Sequence, residues 1–208
     1  MLYLEGSTDL VIFRAFTAQL EHPAKEVLNQ PFVHYVSNQP RKAQDHFYGL
    51  REAKPDLLGL AIYDRLEVIV PDDPNLSQHA WRRCELESYL CQKETLLAFA
   101  EAQGRQQLGD LFAGSWRETM QAAIGEIEEA LDALGKPSLW GRDLKVSDEF
   151  FDPLFKAFYR KLGLPNLMRK TDYHTLAPFV PPKDLVGEVA QLLDLLVELA
   201  SRARPRQG

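Results

Sequence analysis

The chain has 208 residues, 45% hydrophobic and 26% charged, with 12 Gly, 13 Pro and 2 Cys; this composition excludes a collagen, a disulfide scaffold and a wholly disordered chain. Its 24 Lys and Arg against 30 Asp and Glu give a net charge of -6, so the whole chain is no basic sheath for nucleic acid, and DNA binding would need local charge or a metal ion. The length accommodates one large domain or two small ones.

In chain order, Leu2-Tyr3-Leu4 reads as a short strand that runs into Glu5-Gly6-Ser7-Thr8-Asp9, where Gly6 makes the turn and Ser7 or Thr8 can cap a helix. That helix spans Asp9 to about Leu20, with Val11, Ile12, Ala15, Phe16 and Leu20 on one face. Residues 32–36 form a second strand after Pro31, and a second helix runs from Arg41 to Lys54, stopped by Pro55. Residues 57–63 are almost continuously apolar, as in a strand buried on both faces of a parallel sheet, and end at Asp64. Strand, helix, strand, helix, strand implies right-handed crossovers and chemistry at the carboxyl ends of the strands.

A loop at 71–77 precedes a helix carrying residues 81–90. Within it Cys84 and Cys91 would lie about 10 Å apart along the axis, too far for a disulfide. Free thiols, no signal peptide and no long apolar run point to a cytosolic protein with no membrane partner. From 92 to 165 the pattern is helical only: Lys93–Gln103, Trp116–Leu134 and Asp148–Leu162, separated by Gly109, Gly114 and Gly135-Lys136-Pro137. A proline-rich turn at 178–182 leads to a final amphipathic helix with Leu185, Val189, Leu192, Leu193, Leu196 and Val197 on its apolar face. The tail from Arg202 is expected to fray. The resulting division is a first core part at 1–91, a helical insertion at 92–165 and a second core part at 166–208.

Glu5, Asp9, Asp64, Glu85 and Glu87 come from four elements that this topology converges on one sheet edge. Hard oxygen ligands without a matching His or Cys set suit Mg²⁺ or Mn²⁺ rather than zinc. Such ions clamp a phosphodiester and activate the attacking water. Lys170 is placed to neutralise phosphate charge.

The segments Leu4-Glu5-Gly6-Ser7-Thr8-Asp9, Ala61-Ile62-Tyr63-Asp64, Glu87-Ser88-Tyr89-Leu90 and 170–176 resemble the Toprim nuclease half of the overcoming-lysogenization-defect (OLD) family of endonucleases, over nearly the whole chain. The resemblance implies an α/β Toprim fold, a Rossmann-like parallel sheet flanked by helices, with an inserted all-helical subdomain. It implies two-metal cleavage of DNA in phage defence by Glu5, Asp64 and Lys170, with Asp9 and a Glu from the Glu-x-Tyr-Leu helix, Glu87 or also Glu85, as further ligands. Toprim domains generally carry Asp-x-Asp after the third strand; here the second Asp is replaced by Leu66, with Glu67 beside it. The family usually places an ATPase half before the nuclease half. No P-loop occurs in this sequence, so the chain reads as a nuclease fragment or a stand-alone relative.

Each of these residues also has a plainer reading. Asp9 would favour the helix dipole without holding a metal, and Asp64 could be a loop acid. Glu85 and Glu87, two apart on a helix, point in different directions. Arg82 and Arg83 either touch DNA phosphates or pair with these glutamates, and Arg169 with Lys170 is either a phosphate contact or a solvated pair. His34, His46, His79 and His174 lack metal-ligand spacing, leaving His174 a phosphate contact at most. Two other functions are compatible with the sequence: an RNA-processing Toprim nuclease, and a catalytically weak metal- or partner-binding module.

Overall fold

The computed structural model describes residues 1–68, 70, 71 and 73–204. The chain forms two compact units, one of Met1–Arg82 with Pro182–Gly208 and the other of Arg83–Pro181.

The first unit is α/β. Its strands β1 (Leu2–Leu4), β2 (Val33–Tyr35), β3 (Gly59–Tyr63) and β4 (Leu76–Ala80) form one all-parallel sheet in the order β2-β1-β3-β4. Register runs Leu2↔Val33 and Leu2↔Leu60 across β1, and Gly59↔Leu76 to Tyr63↔Ala80 between β3 and β4. The helices are α1 (Ser7–Gln19), α2 (Ala24–Asn29), α3 (Pro40–Ala53), α7 (Pro182–Leu185) and α8 (Glu188–Arg202). One sheet face buries Tyr3, Ala61 and Tyr63 with Val36, Ala43 and Phe47, the last two from α3. The opposite face brings Leu2, Leu60 and Ile62 against Phe13 of α1, Leu28 of α2 and Leu192 and Leu193 of α8. All five residues of β3 are buried, which is why that strand is nearly continuous apolar sequence. α8 shows the expected apolar stripe, and Arg14 of α1 donates to the Leu28 carbonyl at 2.8 Å to hold α2.

The second unit is helical. A hairpin of α4 (Lys93–Leu108) and α5 (Asp110–Ala133) turns at Gly109, whose φ of +91° favours glycine. A π-helical turn at Ser147–Phe151 then feeds α6 (Asp152–Lys161), and a 3₁₀ segment spans Lys170–Phe179. Phe151 meets the Tyr173 ring edge-on at 5.0 Å, Phe99 meets Phe155 at 5.9 Å and Trp116 meets Phe158 at 5.8 Å. Gly104 makes the closest approach in the hairpin: a Cβ there would lie 2.7 Å from Trp116 Cγ. Gly104→Ala gains helix propensity of about 1 kcal/mol but overpacks the hairpin, a cost of about 1–3 kcal/mol. A fall in the denaturant midpoint is expected, and a rise would show that Trp116 can swing aside.

Several sequence expectations change. The boundaries of the units lie at 82/83 and 181/182, not at the composition breaks of 91/92 and 165/166. The reason is packing: Glu85 bonds Ser147, and Tyr173 sits among Phe151 and Phe155, so both flanking stretches belong with the helices. Residues 81–90 are not one helix. Only Leu86–Tyr89 is helical, as a 3₁₀ turn, and Glu85 is extended at φ −154°, ψ 169°. The end of the expected 71–77 loop is instead the start of strand β4, and α2 was not anticipated. Gly114 does not interrupt α5, because it has open space around it and costs the helix only propensity. Neither cysteine is in a disulfide, as expected, though both lie outside any helix. Among the described residues no helix is long and apolar enough to cross a membrane. The last four residues of the expected frayed tail, 205–208, lie outside the described residues.

Candidate functional site

The chain leaves β1 for β2 on one side of the sheet, and β3 returns on the other side of β1. The carboxyl ends of β1 and β3 therefore flank the topological switch point, where open parallel sheets bind ligands. Glu5 follows β1 and Asp64 follows β3, and both are half-buried.

Local chemistry fixes Asp9 beside Glu5. The N-cap of α1 is Gly6, with φ −147° and ψ 178°, and it offers no side chain to the helix. Neither Ser7 nor Thr8 takes the cap, since both already lie inside the first turn. Asp9 instead reaches back from the third helical position, and its Oδ2 accepts the Glu5 backbone N–H at 3.0 Å. The Thr8 hydroxyl donates to Oδ1 at 3.5 Å. Burial, and next the charge of Glu5, push the Asp9 carboxyl up to about 6, against the opposing hydrogen bonds from Glu5, Gly6 and Thr8.

The loop after β2 completes this edge. Ser37 and Asn38 both adopt left-handed backbone, with φ of +49° and +57°, a conformation that costs about 1 kcal/mol or more for each non-glycine residue. The Ser37 N–H donates to the Glu5 carbonyl at 3.1 Å, while the buried Asn38 Oδ1 has no hydrogen-bond partner. Leu66, at the position where the family carries its second Asp, packs against the Tyr3, Phe47 and Tyr63 core, and Glu67 is exposed.

The remaining candidate ligands and phosphate contacts from the sequence, other than Arg82, belong to the helical unit. Glu85 is 2% exposed; its Oε1 accepts the Ser147 backbone N–H at 2.5 Å and its Oε2 accepts the Ser147 hydroxyl at 2.8 Å. Burial raises its pKa. Glu87 lies in the 3₁₀ turn and is half-buried. The Arg83 guanidinium donates to the Gly141 carbonyl at 3.3 Å and lies 5.5 Å over the Tyr89 ring. Lys170 is ion-paired with Asp148, which Lys145 also approaches at 3.3 Å, and these contacts hold the Asp148 carboxyl below its usual range. Arg169 is exposed, and its backbone N–H donates to Asp172 at 3.0 Å. The half-buried His174 donates from Nδ1 to the Thr171 carbonyl at 2.9 Å. In the α/β unit, the exposed Arg82 donates its backbone N–H to Glu188 at 3.0 Å.

Glu5 and Asp9 are thus brought together, but among the described residues no three His, Cys, Asp or Glu side chains group so as to hold a metal ion. The donors available at the β1 and β3 ends are all oxygen: three carboxylates and the orphaned Asn38 carboxamide. That set suits a hard divalent cation in chemistry. Sequence reading missed two features here, Asn38 and a pair between His79 and Glu188. The signal for Asn38 was its place before Gln39-Pro40, a turn setting that tolerates left-handed backbone. His79 and Glu188 are 109 positions apart and carried no local signal. Comparison with protein-family models, with curated proteins and with solved structures finds no match.

Proposed function

We propose that this chain is a divalent-metal-dependent nuclease that hydrolyses DNA phosphodiester bonds, in line with its resemblance to the Toprim half of OLD-family endonucleases. The observation that carries the reading is the half-buried Glu5–Asp9 pair at the end of β1, with Asp64 at the end of the adjacent strand, on both sides of the switch point. Two crowded carboxylates, of which Asp9 has its pKa raised first by burial and next by the charge of Glu5, form a site whose charge a Mg²⁺ or Mn²⁺ ion offsets. Glu5, Asp9 and Asp64 would hold the metal, and Asn38 would offer a further oxygen. When bound, such ions polarise the phosphate and lower the pKa of an attacking water. Lys170, Arg82, Arg83, Arg169 and His174 are proposed phosphate contacts, Glu87 a further ligand, and a separate ATPase domain a partner, while Glu85 is set aside as a ligand because Ser147 occupies both of its carboxylate oxygens. DNA affinity should fall steeply with salt, because phosphate contacts release counterions.

A second reading, a weak metal- or partner-binding module, is favoured by the apolar anchoring of Leu66 and by the lack of a third grouped ligand. Supercoiled plasmid incubated with Mg²⁺, Mn²⁺, Ca²⁺ or EDTA separates the two. The nuclease reading expects nicked or linear product only with metal, reduced at least about 100-fold in Asp64→Ala and lost in Lys170→Ala. Folded wild-type protein that leaves the plasmid intact under every metal would sink it, and weak or absent metal binding by calorimetry would then favour the module. Cleavage of single-stranded RNA but not plasmid would move the reading to RNA processing.

A further inference from the structure

We propose that His79 and Glu188 form an imidazole–carboxylate dyad that takes the proton of the attacking water, an inference that rests on the hydrolytic reading above. His79 lies on β4 opposite Ile62, one register pair before the carboxyl end of the strand. It is therefore one strand over from the end that Asp64 follows. Its Nε2 is 2.7 Å from Glu188 Oε1. A carboxylate only accepts, so Nε2 carries the proton and Nδ1 keeps its lone pair in the neutral ring. Among the described residues Nδ1 has no hydrogen-bond partner.

The surroundings brace the ring on one side and leave it open on another. The Glu188 side chain is 7% exposed and that of His79 29%. Trp81 meets the imidazole edge-on at 5.6 Å and itself stacks on Phe13 at 5.9 Å. Glu188 also accepts the Arg82 backbone N–H, and the Arg82 carbonyl accepts from the guanidinium of Arg65, the residue after Asp64. This run of bonds ties the dyad to the end of β3. The charged group in contact with the imidazole is thus Glu188 of α8, which Arg82 meets through its backbone and Arg65 through the Arg82 carbonyl. A base held in one tautomer by a buried carboxylate, with its second nitrogen unengaged, is the arrangement of an activated proton acceptor.

In the proposed step the water oxygen bonds to phosphorus and its proton passes to His79 Nδ1. The bond from phosphorus to the leaving oxygen breaks, its electron pair stays on that oxygen, and solvent protonates it. The imidazolium then releases its proton to solvent, so one phosphodiester and one water give a phosphomonoester and an alcohol. His79 is the proton-transfer residue and Glu188 its positioning residue.

The test is plasmid cleavage in Mn²⁺ across a pH series by wild type, His79→Gln, His79→Ala and Glu188→Gln, with a melting curve for each. His79→Gln should lower kcat about 100-fold or more with KM little changed, and should remove one ionisation from the acid side of the pH profile. Added imidazole should restore much of the activity of His79→Ala, which no structural pin would allow. A folded His79→Gln that cleaves within about threefold of wild type, or a folded His79→Ala that imidazole does not rescue, overturns the dyad and leaves metal-dependent hydrolysis standing. Should the His79 variants unfold, Glu188→Gln decides: it keeps the shape of the acid, and an unchanged pH profile overturns the dyad. Absence of cleavage by folded wild type rejects the hydrolytic reading and the dyad together.

Discussion

Glu85→Ala is expected to destabilise the helical unit by about 3 kcal/mol or more. The carboxylate is buried, with one oxygen on the Ser147 N–H and the other on its hydroxyl. Removing it strands two buried donors and leaves a void at the start of the Ser147–Phe151 turn, from which Phe150 and Phe151 enter the core. Guanidinium titration monitored by tryptophan fluorescence should show a lower midpoint, and a change below about 1 kcal/mol would mean that water replaces the carboxylate. Burial raises the Glu85 pKa above its unfolded value. Its favourable contribution is then complete below the unfolded pKa and is lost as pH rises through the folded one. Acidification should therefore raise the stability of wild type relative to a Glu85→Gln variant, in which no acid titrates.

Asp9→Asn is expected to have the opposite sign at neutral pH. Its folded pKa, about 6 against an ordinary 3.8, means that ionised Asp9 is disfavoured in the folded chain. The stability it contributes is present below pH 3.8 and is lost as pH rises through about 6, a change of about 3 kcal/mol at most for a shift of this size. Asparagine does not ionise and can still accept the Glu5 N–H. The variant should thus gain on wild type steadily between about pH 4 and pH 7, in urea titrations without metal. Millimolar Mn²⁺ should shrink that gain by stabilising the wild-type carboxylate pair and not the variant. A gain independent of both pH and metal would show that Asp9 acts only as a helix cap.

Legibility in the sequence followed burial. β3 and α8 were readable because each buries a continuous or evenly spaced apolar set in the sheet core. β4 was not: Leu-Ser-Gln-His-Ala has one large apolar residue, since only Leu76 of that edge strand is fully buried. The stretch 81–90 has helical spacing, yet the buried bond from Glu85 to Ser147 holds its backbone extended, a tertiary contact that overrides local propensity. At the site, the turn after β1 and the acid after β3 were visible, and Asp9 was visible as an acid of the first helical turn, whereas its bond to the Glu5 N–H was not. Glu85 and Lys170 could not be judged from spacing, because their partners Ser147 and Asp148 lie far along the chain. The His79–Glu188 pair was invisible for the same reason.

The discontinuous make-up of the α/β unit sets an order on its birth at the ribosome. β1 to β4 emerge first, but Leu192 and Leu193, which cover Leu60 and Ile62, lie on α8 and are synthesised only after all of Arg83–Pro181. The helical unit is contiguous and rich in local contacts, which favours rapid folding. It is therefore expected to close while one face of the sheet is covered only by α1 and α2 and still awaits the last helix.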